Sequence, residues 1–201
     1  MKLYYSKGTC SLAVRIALHE IGIKAQYEAV NLKIKQTESG KDFLKINAKG
    51  AVPALELDNG EILTENAVIQ QYLADLHHAT TVLPEVGNFK RYRVLEWLNY
   101  VSTEIHKGCG ALFHPKIPQT VKDEVFIPML KAKFDYLDAH FANSPFLLDH
   151  FTLPDGYLFV ILSWLPKFNI DINDWKNVSR YITDVKNRSS VKAALQEEQL
   201  L

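Results

Sequence analysis

Residues 2–21 read KLYYSKGTCSLAVRIALHEI, and this stretch determines how the fold of the chain begins. The short aromatic run Lys2–Tyr5 predicts a strand, and the polar residues after it break that strand. A helical pattern follows over Ser11–Ile21, with Gly22 where a helix is expected to end. A second strand is expected over Ala25–Leu32. Two strands joined by a helix predict a parallel βαβ unit with a right-handed crossover.

The next part of the chain predicts a β-hairpin followed by a helix, after a polar stretch at 33–50 that we expect to be irregular. Val52–Leu57 and Glu61–Leu63 are β-prone runs joined by Asp-Asn-Gly, a sequence typical of tight turns. Glu65–Leu76 then carries its apolar residues on one helical face. The order β-α-β followed by β-β-α is that of a thioredoxin-like α/β domain, which we expect to span residues 1–78.

The second half of the chain predicts an all-α domain, a helical bundle over residues 89–201, after a linker at 79–88 where periodicity fails. One helix carries an apolar stripe at Val94, Leu98, Val101 and Ile105. Another helix is expected over Met129–Phe141. Thr152 and Asp155 then form a capping pattern at the start of a third helix. Leu158–Leu165 is apolar on nearly every side and is expected to be the buried central helix of this half.

Composition and charge exclude several classes of protein. The 201 residues are 47% hydrophobic, with 23 basic and 23 acidic side chains. The chain therefore has no net positive charge that would attract nucleic acid or an anionic membrane. The sequence has no signal-peptide pattern and no apolar run long enough for a membrane span. Two cysteines, Cys10 and Cys109, are too few for a disulfide framework, so we expect free thiols and a cytoplasmic location.

Cys10 is the first candidate for chemistry because it stands at the break between the first strand and the first helix. Unpaired backbone N–H groups and the helix dipole favour a thiolate at such a place. The residue three positions later is Ala13, so a second molecule would have to resolve any disulfide that Cys10 forms. The alternative is a cysteine that only fills space.

Two further features flank the hairpin. Val52-Pro53 begins a strand, and a proline there marks either a sheet edge or a cis bond. Glu65-Asn66 is either an ordinary acidic first turn or a helix N-terminus that binds a ligand carboxylate while Glu65 pairs with a ligand ammonium. His19-Glu20 begins like a zinc-protease motif, but Ile23 occupies the place of the second histidine, so we expect no metal.

These features together resemble the cytosolic glutathione transferases, and three segments narrow the resemblance to the bacterial beta class. The segments are Gly8–Leu12, Glu96–Tyr100 and Glu104–Gly108. The resemblance spans the whole chain. It implies a homodimeric enzyme that conjugates glutathione, its co-substrate, to small electrophiles, with thiol-disulfide exchange through Cys10 as a further activity. Asn66 departs from the family, which usually has a hydroxyl residue at that position; the asparagine lacks that hydroxyl contact but keeps a side chain that is expected to cap the helix.

The resemblance also implies roles for individual residues. It places Cys10 and His106 in catalysis, with Tyr5 and Ser11 as rival catalytic hydroxyls. Glutathione is expected to contact Lys35, Val52, Pro53, Glu65, Asn66, Asn99, Glu104 and Lys107, with Glu104 reaching the site across the dimer. The second-substrate pocket is expected to include Phe113, His114 and Trp164.

Two other functions stay open at this point. One is a glutaredoxin-like reductase, in which Cys10 attacks a glutathione mixed disulfide and a second glutathione resolves it. The other is a non-catalytic binding protein that has kept the fold, because a fold does not fix a function. Neither alternative involves nucleic acid or a membrane, and both predict a thioredoxin-like first domain.

Overall fold

The structure, a computed structural model, describes all residues from Met1 to Leu201 in two units. The first unit comprises Met1–Glu85 and Arg188–Leu201, and the second comprises Val86–Asn187. The boundary after Glu85 falls within the stretch predicted as a linker. The prediction that residues 89–201 form one helical domain is wrong for the last fourteen of them, which belong to the first unit.

The first unit is built on a five-stranded sheet with the order β3-β2-β1-β4-β5. The strands are β1 (Lys2–Tyr5), β2 (Gln26–Asn31), β3 (Gln36–Thr37), β4 (Ala54–Glu56) and β5 (Ile62–Thr64). Strands β1 and β2 are parallel, whereas β4 runs antiparallel to both β1 and β5. This arrangement confirms the predicted thioredoxin-like order. The two-residue strand β3 lies in the stretch that was expected to be irregular.

Side chains alternate across this sheet, so each face has its own core. Leu3 packs on one face in a cluster with residues of α1 (Ser11–Ile21) and α2 (Asn66–Leu76). Its neighbour Tyr4 packs on the other face with Phe43 and Val52. The predicted bounds of α1 are confirmed, and Gly22 ends that helix with a positive φ of 80°.

The last helix, α9 (Ser189–Glu197), packs against α1 and explains why the chain end joins the first unit. The buried guanidinium of Arg15 pairs with Glu197 at 2.8 Å and with Glu198 at 3.1 Å. Glu198 also accepts a hydrogen bond from the backbone N–H of Gly8 at 2.8 Å. These are contacts between residues more than 180 positions apart, which local sequence patterns do not encode.

The second unit is helical, as predicted. It contains α3 (Phe89–Tyr100), α4 (Lys107–Leu112), α5 (Gln119–Val121), α6 (Ile127–Phe141), α7 (Leu153–Leu162) and α8 (Lys176–Lys186). Every residue of α7 is buried, and the capping box of Thr152 and Asp155 at its start is present. The helix begins five residues before the predicted buried stretch and ends three residues short of it.

One part of the second unit departs from regular helical geometry. A π-helical turn at Val101–His106 joins α3 to α4, and another precedes α6. The predicted apolar stripe is buried at all four positions, two of which lie within the first π turn. None of the helices in the structure combines the length and the apolar character that a membrane span requires.

Candidate active site

The predicted site residues of the first unit converge on one short segment, Lys49–Pro53. Cys10 immediately precedes α1, and its half-buried Sγ donates to the carbonyl of Val52 at 3.4 Å. Val52 is buried, and the peptide bond between Val52 and Pro53 is cis, one of the two alternatives that the sequence left open. Cys10 follows β1 and the Lys49–Pro53 segment precedes β4. The two lie close together because β1 and β4 are antiparallel neighbours in the sheet.

Asn66 ties the start of α2 to the same cysteine. Its amide nitrogen donates to the carbonyl of Cys10 at 2.6 Å, and its amide oxygen accepts from Nε2 of Gln70 at 2.6 Å. Asn66 is 6% exposed and Gln70 is fully buried. The side chain of Asn66 is therefore committed to the protein and does not cap α2, so the cap that the sequence suggested there is wrong.

Two charged side chains reach the Lys49–Pro53 segment from either side. The ammonium of Lys35 donates to the carbonyl of Gly50 at 2.7 Å. The exposed carboxylate of Glu65 pairs with Nζ of Lys49 at 2.6 Å. Both Lys35 and Glu65 have a positive φ, 54° and 73°, which is uncommon for a residue with a side chain. Strained backbone of this kind is concentrated at functional sites.

This arrangement suits a small zwitterion. An ammonium at Lys35 attracts a ligand carboxylate, and a carboxylate at Glu65 attracts a ligand ammonium. The first-turn N–H groups of α2 have no partner within the helix and also favour an anion. The backbone of Val52, already contacted by Cys10, lies on the segment that both charged side chains reach.

His106 is the candidate catalytic residue of the second unit and ends the π turn. Its Nδ1 lies 2.6 Å from the hydroxyl of Tyr157 on α7. The ring also makes edge contacts with Tyr157 and Trp164, with centroids 5.6 and 5.3 Å away. Burial, together with the neighbouring ammonium of Lys107, lowers the pKa of His106 to about 4. The imidazole is therefore neutral at neutral pH.

The polar residues around His106 differ in how they are engaged. Asn99 and Lys107 are exposed on the surface of the second unit. Glu104 pairs with Lys133 of α6, whose ammonium contacts both the carboxylate at 2.6 Å and the backbone carbonyl at 3.1 Å. The carboxylate of Glu104 thus already has a partner within its own chain.

The structure joins two of the three residues expected in the second-substrate pocket. Phe113 packs edge-on against Trp164, with ring centroids 5.4 Å apart, and against Phe168 at 4.6 Å. A cavity of about 340 Å³ lies beside Phe113 and Phe168, with Lys167 among its lining residues. His114 does not belong to this row of rings, because it is exposed and its Nδ1 accepts from the N–H of Lys116 at 3.2 Å.

The rival hydroxyls are engaged elsewhere in the first unit. Ser11 is fully buried, and its Oγ lies 2.9 Å from the hydroxyl of Thr9. The ring of Tyr5 lies against the guanidinium of Arg15 at 4.3 Å and faces a cavity of about 890 Å³. None of the residues proposed to bind glutathione lines that cavity. No cluster of three histidine, cysteine or acidic side chains is arranged to hold a metal ion.

Sequence reasoning missed several residues that support the site. Gln70 orients Asn66, Lys49 pairs with Glu65, Lys133 holds Glu104, and Tyr157 contacts His106. Gln70 follows Asn66 by one helical turn, a spacing at which side chains meet, so a pattern for it existed. The other three partners lie on separate elements, and no local signal identifies them.

The chain is similar in sequence to known proteins. Residues 1–75 match the family described as glutathione S-transferase, N-terminal domain. Over its full length the chain is 37% identical to glutathione S-transferase GstA of Escherichia coli O157:H7, covering 100% of both proteins.

Two solved structures are similar over the whole chain. A sphingomonad glutathione S-transferase complexed with glutathione has a TM-score of 0.94 and 38% identity, covering 100% of both chains. A bacterial beta class glutathione S-transferase from Sphingomonas chungbukensis has a TM-score of 0.95 and 37% identity, with the same coverage.

The fold and these similarities define a protein of the glutathione transferase class, with a thioredoxin-like first unit. The chain belongs to the glutathione S-transferase family. Within that family, its likeness to the Sphingomonas protein confirms the predicted resemblance to the beta class.

Proposed function

We propose that this chain catalyses the attack of the glutathione sulfur on small electrophiles. The observation that carries the proposal is a convergence of side chains in a member of this enzyme family. Cys10, Lys35 and Glu65 each contact the Lys49–Pro53 segment. Asn66 in turn contacts Cys10. Glutathione carries two carboxylates, one ammonium and one thiol, and the segment is flanked by groups that complement each kind.

The binding roles follow from the charges. Lys35 exchanges its bond to the Gly50 carbonyl for a glutathione carboxylate, and Glu65 exchanges Lys49 for the γ-glutamyl ammonium. The backbone of Val52, followed by Pro53, pairs with the peptide portion, and the N–H groups that open α2 at Asn66 donate to the γ-glutamyl carboxylate. Because the side chain of Asn66 is occupied by Cys10 and Gln70, Asn66 contributes through its backbone.

The second unit is proposed to contribute charge and polarity. Lys107 and Asn99 are exposed and free to bind a polar ligand, and His106 presents a neutral ring. Stabilising the glutathione sulfur as a thiolate, beside an electrophile held by Phe113 and Trp164, supplies the rate acceleration. His114 remains a pocket residue only as an expectation from the resemblance.

Assembly and location are further parts of the proposal. We infer a homodimer in which Glu104 leaves Lys133 to contact the ligand of the neighbouring subunit. Three exposed aromatic side chains support an interface on the second unit, at Phe89, Tyr92 and Tyr136. We also propose a cytoplasmic location, which the two free cysteines favour. The proposed reaction with electrophiles favours a role in detoxification.

Thiol-disulfide exchange is the second candidate function, and the half-buried thiol of Cys10 supports it. In this reaction the Cys10 thiolate attacks the glutathione sulfur of a mixed disulfide and releases the substrate as a thiolate, which takes up a proton. A second glutathione thiolate then attacks the Cys10–glutathione disulfide, releases Cys10 and forms glutathione disulfide. Cys109 is fully buried and does not offer a resolving thiol.

Calorimetry with reduced glutathione tests the proposed site. We expect a dissociation constant in the micromolar to millimolar range, about −4 to −8 kcal/mol. Lys35→Ala and Glu65→Gln should each weaken binding about tenfold or more, since each removes one charged partner. Lys33→Ala, an exposed lysine of the same loop, is the matched control and should bind like the wild type. Absence of binding by the folded wild type would overturn the proposal.

A further inference from the structure

The ring of His106 is held on two sides by buried aromatic residues. Tyr157, which is 1% exposed, meets it at Nδ1, and Trp164, which is 6% exposed, packs against it edge-on. The backbone that carries the ring is tied to α6 as well, because the ammonium of Lys133 donates to the backbone carbonyl of Glu104, two residues earlier, at 3.1 Å. Nδ1 is thus committed to the protein, and only Nε2 is left to act on a ligand.

The chemistry of the two partners sets the direction of the bond between Tyr157 and His106. A phenol is a stronger acid than the N–H of a neutral imidazole, and an imidazole nitrogen is a stronger base than a phenol oxygen. The better-matched bond therefore has the Tyr157 hydroxyl donating and Nδ1 accepting. At 2.6 Å the bond is short, as expected for a hydroxyl donor. In a neutral imidazole the single proton must then reside on Nε2.

We infer, resting on the function proposed above, that Tyr157 is a positioning residue that holds His106 in the Nε2–H tautomer and so makes it a hydrogen-bond donor to the glutathione sulfur. A donor that carries no charge stabilises a thiolate without itself titrating near neutral pH. In the opposite tautomer Nε2 would be an acceptor, and His106 would act as a general base that removes the thiol proton. Tyr157 thus selects one of two distinct chemistries.

Nuclear magnetic resonance of the uniformly ¹⁵N-labelled full chain tests the tautomer directly. Long-range proton–nitrogen correlations at pH 7 should show His106 with a protonated Nε2 and an unprotonated Nδ1. In Tyr157→Phe both tautomers should become populated, because Nδ1 has lost its donor. Tyr181→Phe is the matched control: it removes another buried phenol, one that bonds Asp155, and should leave the His106 signals unchanged.

The wild-type spectrum alone decides the inference if Tyr157→Phe does not fold. A proton on Nδ1 of the wild-type His106 would overturn the inference, and so would a Tyr157→Phe spectrum identical to that of the wild type. Neither result bears on whether the chain binds glutathione. Loss of glutathione binding would overturn the proposed function and leave the tautomer measurement standing.

Kinetics with a chloronitroarene test what the tautomer does. Tyr157→Phe should lower kcat/KM for glutathione about five- to tenfold, the effect of one hydrogen bond. In the two variants below, the side-chain amide nitrogen of glutamine would lie near the position of the His106 Nε2 atom. That of asparagine would lie near the position of the Nδ1 atom. His106→Gln should therefore retain more activity than His106→Asn. Equal losses in the two variants would overturn the donor role.

Discussion

Replacing His106 by glutamine should change how the stability of the chain depends on pH. In the folded chain burial lowers the pKa of His106 to about 4, whereas an unhindered histidine has a pKa near 6.5. Between these two values the unfolded chain takes up a proton on His106 and the folded chain does not. The free energy of unfolding therefore falls as the pH is lowered through this window.

The size of the effect follows from the two pKa values. At about 1.4 kcal/mol per pH unit, the interval from 6.5 to about 4 corresponds to about 3 kcal/mol of stability that is present at pH 7 and lost by about pH 4. The glutamine variant lacks this loss. The difference in unfolding free energy between wild type and His106→Gln should therefore shift by about 3 kcal/mol across the window.

Denaturant unfolding at pH 7, 6, 5 and 4 provides the assay. Both proteins lose stability in acid because their carboxylates are protonated, so the informative quantity is the difference between them at each pH. His114→Gln, at an exposed position eight residues away, gives the baseline for a histidine replacement. A difference between wild type and His106→Gln that stays constant from pH 7 to pH 4 would refute the reasoning.

Three further predictions follow from the structure. Asn66→Ala should lower the free energy of unfolding by about 1–3 kcal/mol, because it removes the acceptor of the buried Gln70 amide and one of the two donors to the Cys10 carbonyl, which keeps its bond from the Ala13 N–H. Gln71→Ala, which removes only a bond to its own helix, should cost less than half as much. At pH 7.5 an alkylating reagent should modify Cys10 first, since Cys109 is fully buried and burial raises its pKa to about 12; equal rates at the two thiols in the native chain would contradict this. Light scattering at micromolar concentration should give about twice 22.9 kDa, the mass of one chain, and a mass near 22.9 kDa would reject the dimer.

Local patterns were sufficient to predict most of the elements. The apolar spacing and Gly22 gave the bounds of α1, and the Asp-Asn-Gly turn marked the hairpin of β4 and β5. The capping pair at Thr152 and Asp155 marked the start of α7. In each case the determining interactions lie within a few residues, so the sequence displays them directly.

Features that depend on distant contacts were not predictable. The last helix joins the first unit because Arg15 pairs with Glu197 and Glu198, and nothing near either end of the chain signals that pairing. The π turn that carries His106 likewise has no local signature, because its apolar positions fit an ordinary helix equally well. Asn66 was expected to cap a helix, a local role, but its amide bonds the distant Cys10 carbonyl instead.

The site was predicted in part, because some of its features depend on local sequence and others depend on distant contacts. The placement of Cys10 followed from the strand-to-helix break, and the position of Glu65 followed from the start of α2. The positive φ of Glu65 and its pairing with Lys49 required the folded loop before β4. The residues that orient the site, Gln70 and Tyr157, lie in helical patterns that look like ordinary core.

The measurement that tests the central claim most directly is product formation from reduced glutathione and a chloronitroarene. Chromatography with mass detection should show the S-nitroaryl glutathione conjugate, with one chloride released per conjugate and a rate proportional to the concentration of the chain. Lys35→Ala should reduce that rate at low glutathione and recover part of it at high glutathione, because it weakens binding. A rate no greater than that of the mixture without protein, measured for folded wild-type chain at saturating glutathione, would contradict the account.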